Sequence, residues 1–148
     1  SLNFYKVNSF MIDVLDKYAT DLVSCFDLEG ETGQFQYLID HGKRSPSFND
    51  LEKVDNNKMY GCLAQVWIKC EIINDKFYFK GDSDALIVKG LVSIIVEAFS
   101  GYNALDIRDI DHNIVSKLGL GPGLTVRRQV GMMAMVDHIK KISGSKNL

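Results

Sequence analysis

Apolar residues near the start of the chain recur at steps of three and four, which is the spacing of one face of an α-helix. The residues with this spacing are Phe10, Met11, Val14, Leu15, Tyr18, Leu22 and Val23. They predict an amphipathic helix over residues 9–26. Asn8 or Ser9 supplies a polar side chain that can cap the first turn of this helix.

A second helical segment is indicated after a break in the pattern. Gly30 and Gly33 predict a loop between the two helices. The apolar spacing resumes around Leu38, and Gly42 is expected to end the second helix in the left-handed conformation. Residues 43–60 are mostly polar and predict a long irregular connection, a kind of segment that is often functional.

The period of the pattern changes to two over residues 64–73, which predicts a β-strand. One face of this strand carries Val66, Ile68, Cys70 and Ile72, and the other carries Trp67, Lys69 and Glu71. Asn74-Asp75 predicts a turn, and residues 76–80 return as a second strand with Phe77 and Phe79 on one face. Because two strands alone are only marginally stable, a third strand is expected within residues 48–60.

The second half of the chain is predicted to be helical. Residues 85–99 are apolar on nearly every side, which predicts a helix buried in the centre of the domain. Shorter helices are expected over residues 104–110 and 113–118. The glycine-rich residues 119–123 predict a tight loop, and Thr125 is expected to cap a last helix. The residues of that helix expected to face inward are Val126, Val130, Met133, Met135 or Val136, and Ile139.

The order of these elements predicts an α+β fold, in which a small antiparallel sheet of about three strands packs against a layer of helices. The chain has 148 residues, of which 46% are hydrophobic and 24% are charged, and it suits one domain over residues 1–148. The formal net charge of −2 argues against nucleic acid as the main partner, because phosphate binding needs a basic surface.

Two further properties bear on location. The longest apolar run, residues 90–96, is too short to cross a bilayer, so no membrane partner is expected. The three cysteines do not form a disulfide pattern and suit a reducing compartment. With no secretory signal visible, we expect a cytoplasmic protein, or one of an organellar matrix or stroma if a transit peptide was removed.

Cys62 has the most informative position of the three cysteines, since it follows Gly61 and precedes the first long strand. A thiol there can be held near the surface by a rigid hairpin, while the glycine leaves room for another molecule. Sulfur transfer needs such a thiol, one that can reach the terminal sulfur of a partner. The alternative is a small hydrophobic side chain at the start of a strand.

The other candidate ligands and thiols carry less information. Cys70 lies on the apolar face of its strand and is predicted to be an inert core thiol. Cys25 lies at the end of the first helix and could resolve an oxidised Cys62 only if it is exposed. The three histidines lie far apart and no close cysteine pair exists, so a zinc or iron–sulfur site is a weaker alternative. Asp82 and Asp84 either bind a metal or, as we favour, cap the following helix.

Residues 60–67, Tyr-Gly-Cys-Leu-Ala-Gln-Val-Trp, resemble the active-site segment of the SufE family of sulfur-acceptor proteins. Further blocks resemble the same family at residues 35–43, at residues 81–91 and across residues 118–136. Together these blocks extend over about residues 20–142 in the order and spacing of the family. The resemblance implies a SufE-like domain, with a fold that the scaffold proteins of cluster assembly are thought to share and an additional helix at its N-terminus.

The resemblance also implies a function. A cysteine desulfurase (a SufS-like enzyme that carries its own pyridoxal phosphate) would leave a persulfide sulfur that Cys62 accepts. This transfer would stimulate the desulfurase and deliver sulfur to a downstream scaffold for iron–sulfur cluster assembly. The chain itself would need no cofactor, and it would be a persulfide-carrying partner of an enzyme rather than a stand-alone enzyme.

The resemblance assigns supporting roles as well. Arg128 matches an arginine of the family and would steady an anionic sulfur or pair with Asp82 or Asp84. The chain departs from the family pattern beside the thiol, where Leu63-Ala64 replaces a polar pair. It departs again around Arg128, where Val126-Arg127 and Gln129-Val130 replace other residues. These departures bear on which desulfurase is recognised.

Two competing hypotheses follow from the same residues. The first is an iron–sulfur or zinc scaffold, which would need at least two further ligands beside Cys62. The second is a non-catalytic module that binds the desulfurase and in which Cys62 is only structural. Replacement of Cys62 by serine separates the last hypothesis from sulfur transfer, because a binding module would keep its effect on the partner.

Overall fold

A computed structural model describes residues 2–118 and 125–146, and the side chains of residues 9–118 and 125–144. The elements are α1 (Leu2–Arg44), β1 (Lys58–Met59), β2 (Val66–Ile73), β3 (Lys76–Ser83), α2 (Leu86–Phe99), α3 (Ala104–Arg108) and α4 (Val126–Lys146). Short 3₁₀ helices span Asp55–Asn57 and His112–Leu118. The predicted α+β fold with a three-stranded antiparallel sheet is confirmed. The predicted loop over residues 119–123 lies outside the described residues.

Helix α1 is two helical segments joined at a single residue. Gly30 has φ 65° and ψ −152°, a left-handed value of φ that glycine adopts without strain. The second segment folds back along the first, since the Gln34 side-chain amide donates a hydrogen bond to the Leu22 carbonyl oxygen at 3.0 Å. The predicted break between two helices is confirmed at Gly30, but the expected loop does not extend to Gly33, which is helical. Gly33 instead allows the two segments to pack closely, since an added Cβ would lie 2.5 Å from the Cys25 carbonyl oxygen.

The ends of α1 also differ from expectation. The helix begins at Leu2 rather than at a cap formed by Asn8 or Ser9, and it continues past Gly42 to Arg44. Gly42 serves close packing instead of termination, since an added Cβ would lie 2.8 Å from the backbone nitrogen of Gly90 in α2. An added Cβ on Gly90 would lie 2.1 Å from the Leu38 carbonyl oxygen. These glycines let α1 and α2 approach almost to backbone contact.

The sheet has the strand order β1-β2-β3, and all pairs are antiparallel. The predicted third strand exists as β1, which pairs only with Val66 and Trp67 of β2. Strand β3 is longer than predicted, because its ladder with β2 continues through Asp82 and Ser83. The expectation that residues 81–84 only cap the next helix is therefore wrong, and α2 begins after Ala85 without a side-chain cap.

Helix α2 covers one face of the sheet and forms the centre of the core, as predicted. Its buried residues are Gly90, Leu91, Val92, Ser93, Ile94, Ile95, Val96, Ala98 and Phe99. Phe77 and Phe79 of β3 lie in the same core. The opposite face of the sheet is partly covered. Trp67 is only 6% exposed, and the ammonium of Lys53 lies 5.5 Å from its ring centroid. The long connection after α1 thus covers the Trp67 and Asp82 end of the outer face, while Glu71 and Tyr78 further along that face are exposed.

The prediction of which α4 residues face the core is only partly correct. Met135 or Val136 and Ile139 were expected to face inward, and all three are buried. Val126 and Val130 were expected there too, but their side chains are 77% and 53% exposed. Both lie near the start of α4, where the helix forms the wall of a cleft instead of packing into the core.

Candidate functional site

Cys62 lies in the short loop that joins β1 to β2. The loop turns at Gly61, whose φ of +105° is a left-handed value that a side chain would strain. An added Cβ on Gly61 would also lie 3.1 Å from the Cβ of Ala134 in α4. A glycine is therefore needed before the cysteine for two reasons, its backbone conformation and the closeness of α4. The neighbour that approaches it is a helix of the same chain.

The thiol of Cys62 is half-buried and packs against the edge of the core. Helix α4 leaves room for it at Gly131, where an added Cβ would lie 3.2 Å from the Cys62 Sγ atom. Glycine inside a helix weakens the helix by about 0.5–1 kcal/mol relative to alanine. Its presence at residue 131 is therefore best explained by the sulfur atom that it accommodates.

A cleft of about 830 Å³ opens above this thiol. It is lined by Gly61, Cys62, Leu63, Ala64, Val88, Leu91, Val126, Arg127, Arg128, Val130, Gly131 and Met135. Its floor is apolar, and exposed apolar side chains extend to its rim, where Leu63 is 77% exposed. Two guanidinium groups are the charged groups among its described lining residues, and none of those residues is acidic. The cleft therefore favours an apolar or anionic occupant.

Arg128 is positioned by the first turn of α4. Thr125 caps this turn as predicted, since its Oγ1 atom accepts a hydrogen bond from the Arg128 backbone nitrogen at 3.2 Å. The Arg128 guanidinium lies over the ring of Phe35, with its Cζ atom 5.0 Å from the ring centroid. A cation above an aromatic face is stabilised by the ring quadrupole. The contact therefore fixes a positive charge beside the cleft.

Asp82, one of the carboxylates suggested as a partner of Arg128, is engaged elsewhere. Its side chain is 3% exposed and accepts hydrogen bonds from the backbone nitrogens of Phe48 and Ser83, each at 2.8 Å. The Lys89 ammonium lies 3.4 Å from the same carboxylate. A buried charge is tolerated when it is paired and hydrogen-bonded in this way. Asp82 thus joins the long connection to β3 and α2.

Asp84 holds the far end of the Cys62 loop. Its Oδ1 atom accepts a hydrogen bond from the Gln65 backbone nitrogen at 2.9 Å. The Ser83 hydroxyl donates a hydrogen bond to the Gln65 carbonyl oxygen at 2.7 Å. Both backbone groups of Gln65 are therefore bound three residues after Cys62. Sequence reasoning missed Ser83 and Gln65, because nothing in the pattern indicated that β3 continues to this point.

The remaining thiols have different surroundings. Burial raises the pKa of the Cys25 thiol, and the carboxylates of Asp21 and Glu29 raise it further. A raised pKa lowers the fraction of reactive thiolate. Cys70 was predicted to lie in the core, and it is half-buried at the edge of the core, with its sulfur 3.9 Å from the Glu71 carbonyl oxygen. All three cysteines are free thiols.

The described residues do not form a metal site. In residues 2–118 and 125–146, no group of three or more His, Cys, Asp or Glu side chains could hold a metal ion. His112 lies 2.9 Å from the Asp137 carboxylate, and His41 packs against the rings of Tyr18 and Tyr37. The scaffold hypothesis therefore has no ligand set in this part of the chain. None of the helices described is long and apolar enough to cross a bilayer.

Comparisons with known proteins agree with the resemblance. Residues 20–143 match a family model described as "SufE: Fe-S metabolism associated domain". An uncharacterized SufE-like protein of Rhizobium etli is 36% identical over 132 residues, which cover 86% of this chain and 87% of that protein. A second, of Rhizobium meliloti, is 37% identical over 112 residues, which cover 72% of this chain and 80% of that protein. A third, of Synechocystis, is 31% identical over 98 residues, which cover 66% of this chain and 62% of that protein.

Proposed function

Because the chain belongs to the SufE family, whose domain has a role in Fe–S metabolism, we propose that Cys62 accepts a persulfide sulfur from a cysteine desulfurase. The protein then carries this sulfur towards iron–sulfur cluster assembly. The observation that carries the proposal is the placement of the Cys62 thiol, which is half-buried beneath an open apolar cleft and backed by Gly131. A partner loop can reach this sulfur from the open side.

The chemical step exchanges one S–S bond for another. The Cys62 sulfur attacks the outer sulfur of the persulfide on the desulfurase, and a new S–S bond forms at Cys62. The S–S bond on the desulfurase breaks, and its own cysteine leaves as a thiolate. That thiolate takes the proton that Cys62 loses. Before the step the desulfurase carries a persulfide anion and Cys62 is a thiol; after it, Cys62 carries the persulfide anion and the desulfurase cysteine is a thiol. No oxidant or metal is required.

The cleft suits the product of this step. A second sulfur atom extends the side chain by about 2 Å, the length of an S–S bond. The cleft, of about 830 Å³, has room for that extension. Its apolar walls separate the persulfide from other thiols, while the guanidinium beside it favours the anionic form. Arg128 lines the same cleft as Cys62 and is held over Phe35, so we assign this effect to its guanidinium.

The same step accounts for stimulation of the desulfurase. An enzyme whose cysteine still carries a sulfur cannot begin another turnover, so removal of that sulfur restores it. Exposed apolar side chains at the rim provide the area for a protein partner. They are Leu63, Val126 and Val130, all of which also line the cleft. Exposed apolar groups clustered around a functional residue are typical of interaction sites.

The direct test is intact-protein mass spectrometry after incubation with cysteine and an active cysteine desulfurase. Wild-type protein should gain the mass of one or more sulfur atoms, and a reductant should remove it. Cys62→Ser should gain none and should lose the stimulation of the desulfurase. Cys70→Ser is the matched control and should behave as wild type. A Cys62→Ser protein that still stimulates the desulfurase would instead identify a binding module.

A further inference from the structure

The cleft above Cys62 has the dimensions of a small-molecule site as well as of a docking site. Ligand pockets commonly enclose about 300–1,000 Å³ and combine apolar walls with a few polar groups, and the cleft of about 830 Å³ lies within this range. A thiol that only touches a partner needs much less space. The volume therefore accommodates a molecule of several carbon atoms next to the sulfur.

The charge of the cleft restricts the class of that molecule. Arg127 and Arg128 both line it, and none of its described lining residues is acidic. Arg128 is half-buried and held over Phe35, whereas Arg127 is exposed. A guanidinium matches a carboxylate in geometry and forms two parallel hydrogen bonds with it. The cleft is therefore complementary to a ligand with at least one carboxylate.

The apolar residues of the cleft indicate which chemical group the ligand should carry in addition to its carboxylate. The exposed apolar surface of the cleft comes from Leu63, Val126 and Val130, above a floor that includes the buried Leu91 and Met135. A short aliphatic chain fits against such side chains. A ligand that places an aliphatic sulfur end near Cys62 and a carboxylate near the arginines would satisfy both parts of the cleft at once.

We propose that this cleft also binds small carboxylate-bearing persulfides, and that Cys62 takes their outer sulfur directly, without a docked desulfurase. The inference rests on the proposed function, because it uses the same Cys62 acceptor. The Cys62 sulfur attacks the outer sulfur of the small persulfide anion, and a persulfide forms on Cys62. The S–S bond of the small molecule breaks, and the thiolate that leaves takes up the proton lost by Cys62 and becomes a thiol. Atoms and charges balance without an oxidant.

The test compares two small persulfides that differ only in charge at the carboxyl end. N-acetylcysteine persulfide carries one carboxylate, and the persulfide of N-acetylcysteine amide carries none. The full chain is incubated with each at increasing concentration, and the rate of sulfur gain on Cys62 is followed by intact-protein mass spectrometry. We expect the rate to saturate with the carboxylate form, and to exceed the rate with the amide about fivefold, as a partly exposed charge pair supports.

Variants separate this preference from the intrinsic reactivity of the two persulfides. Arg127→Gln should reduce the preference to about half its wild-type value, because the Arg128 guanidinium still lines the cleft, while Arg127→Lys, which keeps the charge, should retain most of it. Arg108→Gln is the control, because Arg108 is an exposed arginine of α3 that does not line the cleft. Arg127 is preferred over Arg128 as the test position, since Arg128 also contacts Phe35 and its loss can disturb the fold.

Each outcome decides the matter. A saturating, carboxylate-selective rate that falls in Arg127→Gln supports the inference. A rate that rises linearly with concentration and is indifferent to the arginines overturns it. If sulfur still arrives from the desulfurase in that case, the proposed function stands and the cleft serves a protein loop alone. If the desulfurase delivers no sulfur to Cys62 either, both proposals fail.

Discussion

Two pairs of glycines allow close packing between segments of this molecule, one pair against backbone atoms and the other against side-chain atoms. Gly42 and Gly90 lie where α1 crosses α2, in the sealed centre of the fold, and backbone atoms fill the space that a side chain would need. Gly61 and Gly131 lie where the Cys62 loop meets α4, at the base of an open cleft. At Gly131 the neighbour is the Cys62 sulfur. The first pair allows close packing of two helices, and the second leaves space around the Cys62 loop and its thiol.

The effect of replacing a glycine depends on the kind of atom that faces it. A Cβ that meets backbone atoms can be accommodated only if the two helices move apart, since backbone atoms cannot turn aside as a side chain can. A Cβ that meets the end of a side chain displaces only that side chain. Substitutions by alanine should therefore affect the stability of the fold at one contact and the reactivity of the thiol at the other.

The largest effect is expected for Gly90→Ala. Its Cβ would lie 2.1 Å from the Leu38 carbonyl oxygen, so α1 and α2 must move apart. We expect the free energy of unfolding to fall by about 3 kcal/mol, the upper end of the cost of overpacking. Urea denaturation measures this loss. Gly144→Ala in α4 is the control, since its Cβ meets nothing within 4 Å, and it should leave stability unchanged or slightly higher.

A smaller and different effect is expected for Gly131→Ala. Its Cβ would lie 3.2 Å from the Cys62 Sγ atom, so the thiol must shift by a few tenths of an ångström. Alanine favours the helix, and the free energy of unfolding should stay within about 1 kcal/mol of wild type. Sulfur acceptance from a desulfurase should slow roughly tenfold, because small misplacements of a reacting atom are costly.

Gly144→Ala again provides the comparison for Gly131→Ala, since both substitutions are in α4. The rate of sulfur gain, followed by mass spectrometry, should fall in the first variant and not in the second. Equal rates in Gly131→Ala and wild type would contradict the role given to the space beside the sulfur.

The smallest effect concerns pH and belongs to the sealed region. Burial lowers the pKa of His41, and the nearby Arg44 and Lys17 lower it further, while Glu97 acts in the opposite direction. Below its ordinary pKa of about 6.5 the unfolded chain takes up a proton before the folded chain does. The stabilising contribution of neutral His41 is thus present above that pH and is lost as the pH falls.

We therefore expect the free energy of unfolding to decrease as the pH is lowered below about 6.5, and His41→Gln to reduce the slope. Denaturation series between neutral and mildly acidic pH measure both slopes. His138 contributes in the same direction, since burial lowers its pKa as well, and His138→Gln is the parallel variant. An unchanged slope in both variants would show that the acid sensitivity has another source.

Much of the fold could be predicted from local patterns. The alternation through Val66 and Ile68 predicted β2, and the apolar run of residues 85–99 predicted the buried α2, because both patterns record burial directly. The continuation of β3 through Asp82 could not be predicted, since glycine and acidic residues usually interrupt strands. Here Asp82 is tolerated because the connection after α1 covers it and Lys89 pairs with it.

Only some of the residues of the candidate site could be predicted from the sequence. Cys62 could be singled out by Gly61 and by the strand that follows, together with the family resemblance. The family resemblance also singled out Arg128, which lines the cleft. The rest of the α4 wall could not be predicted, because the contact of Gly131 with the thiol joins residues far apart in the chain. Val126 and Val130 were wrongly assigned to the core, because apolar residues that line an open cleft give the same sequence pattern as core residues.

The measurement that tests the central claim most directly locates the transferred sulfur. The protein is incubated with cysteine and an active desulfurase, free thiols and persulfides are alkylated, and peptides are analysed by mass spectrometry. We predict that the additional sulfur is found on the peptide with Cys62 and on neither of the peptides with Cys25 and Cys70. Additional sulfur on Cys25 or Cys70 instead, or none at all with a desulfurase shown to be active, would contradict the account.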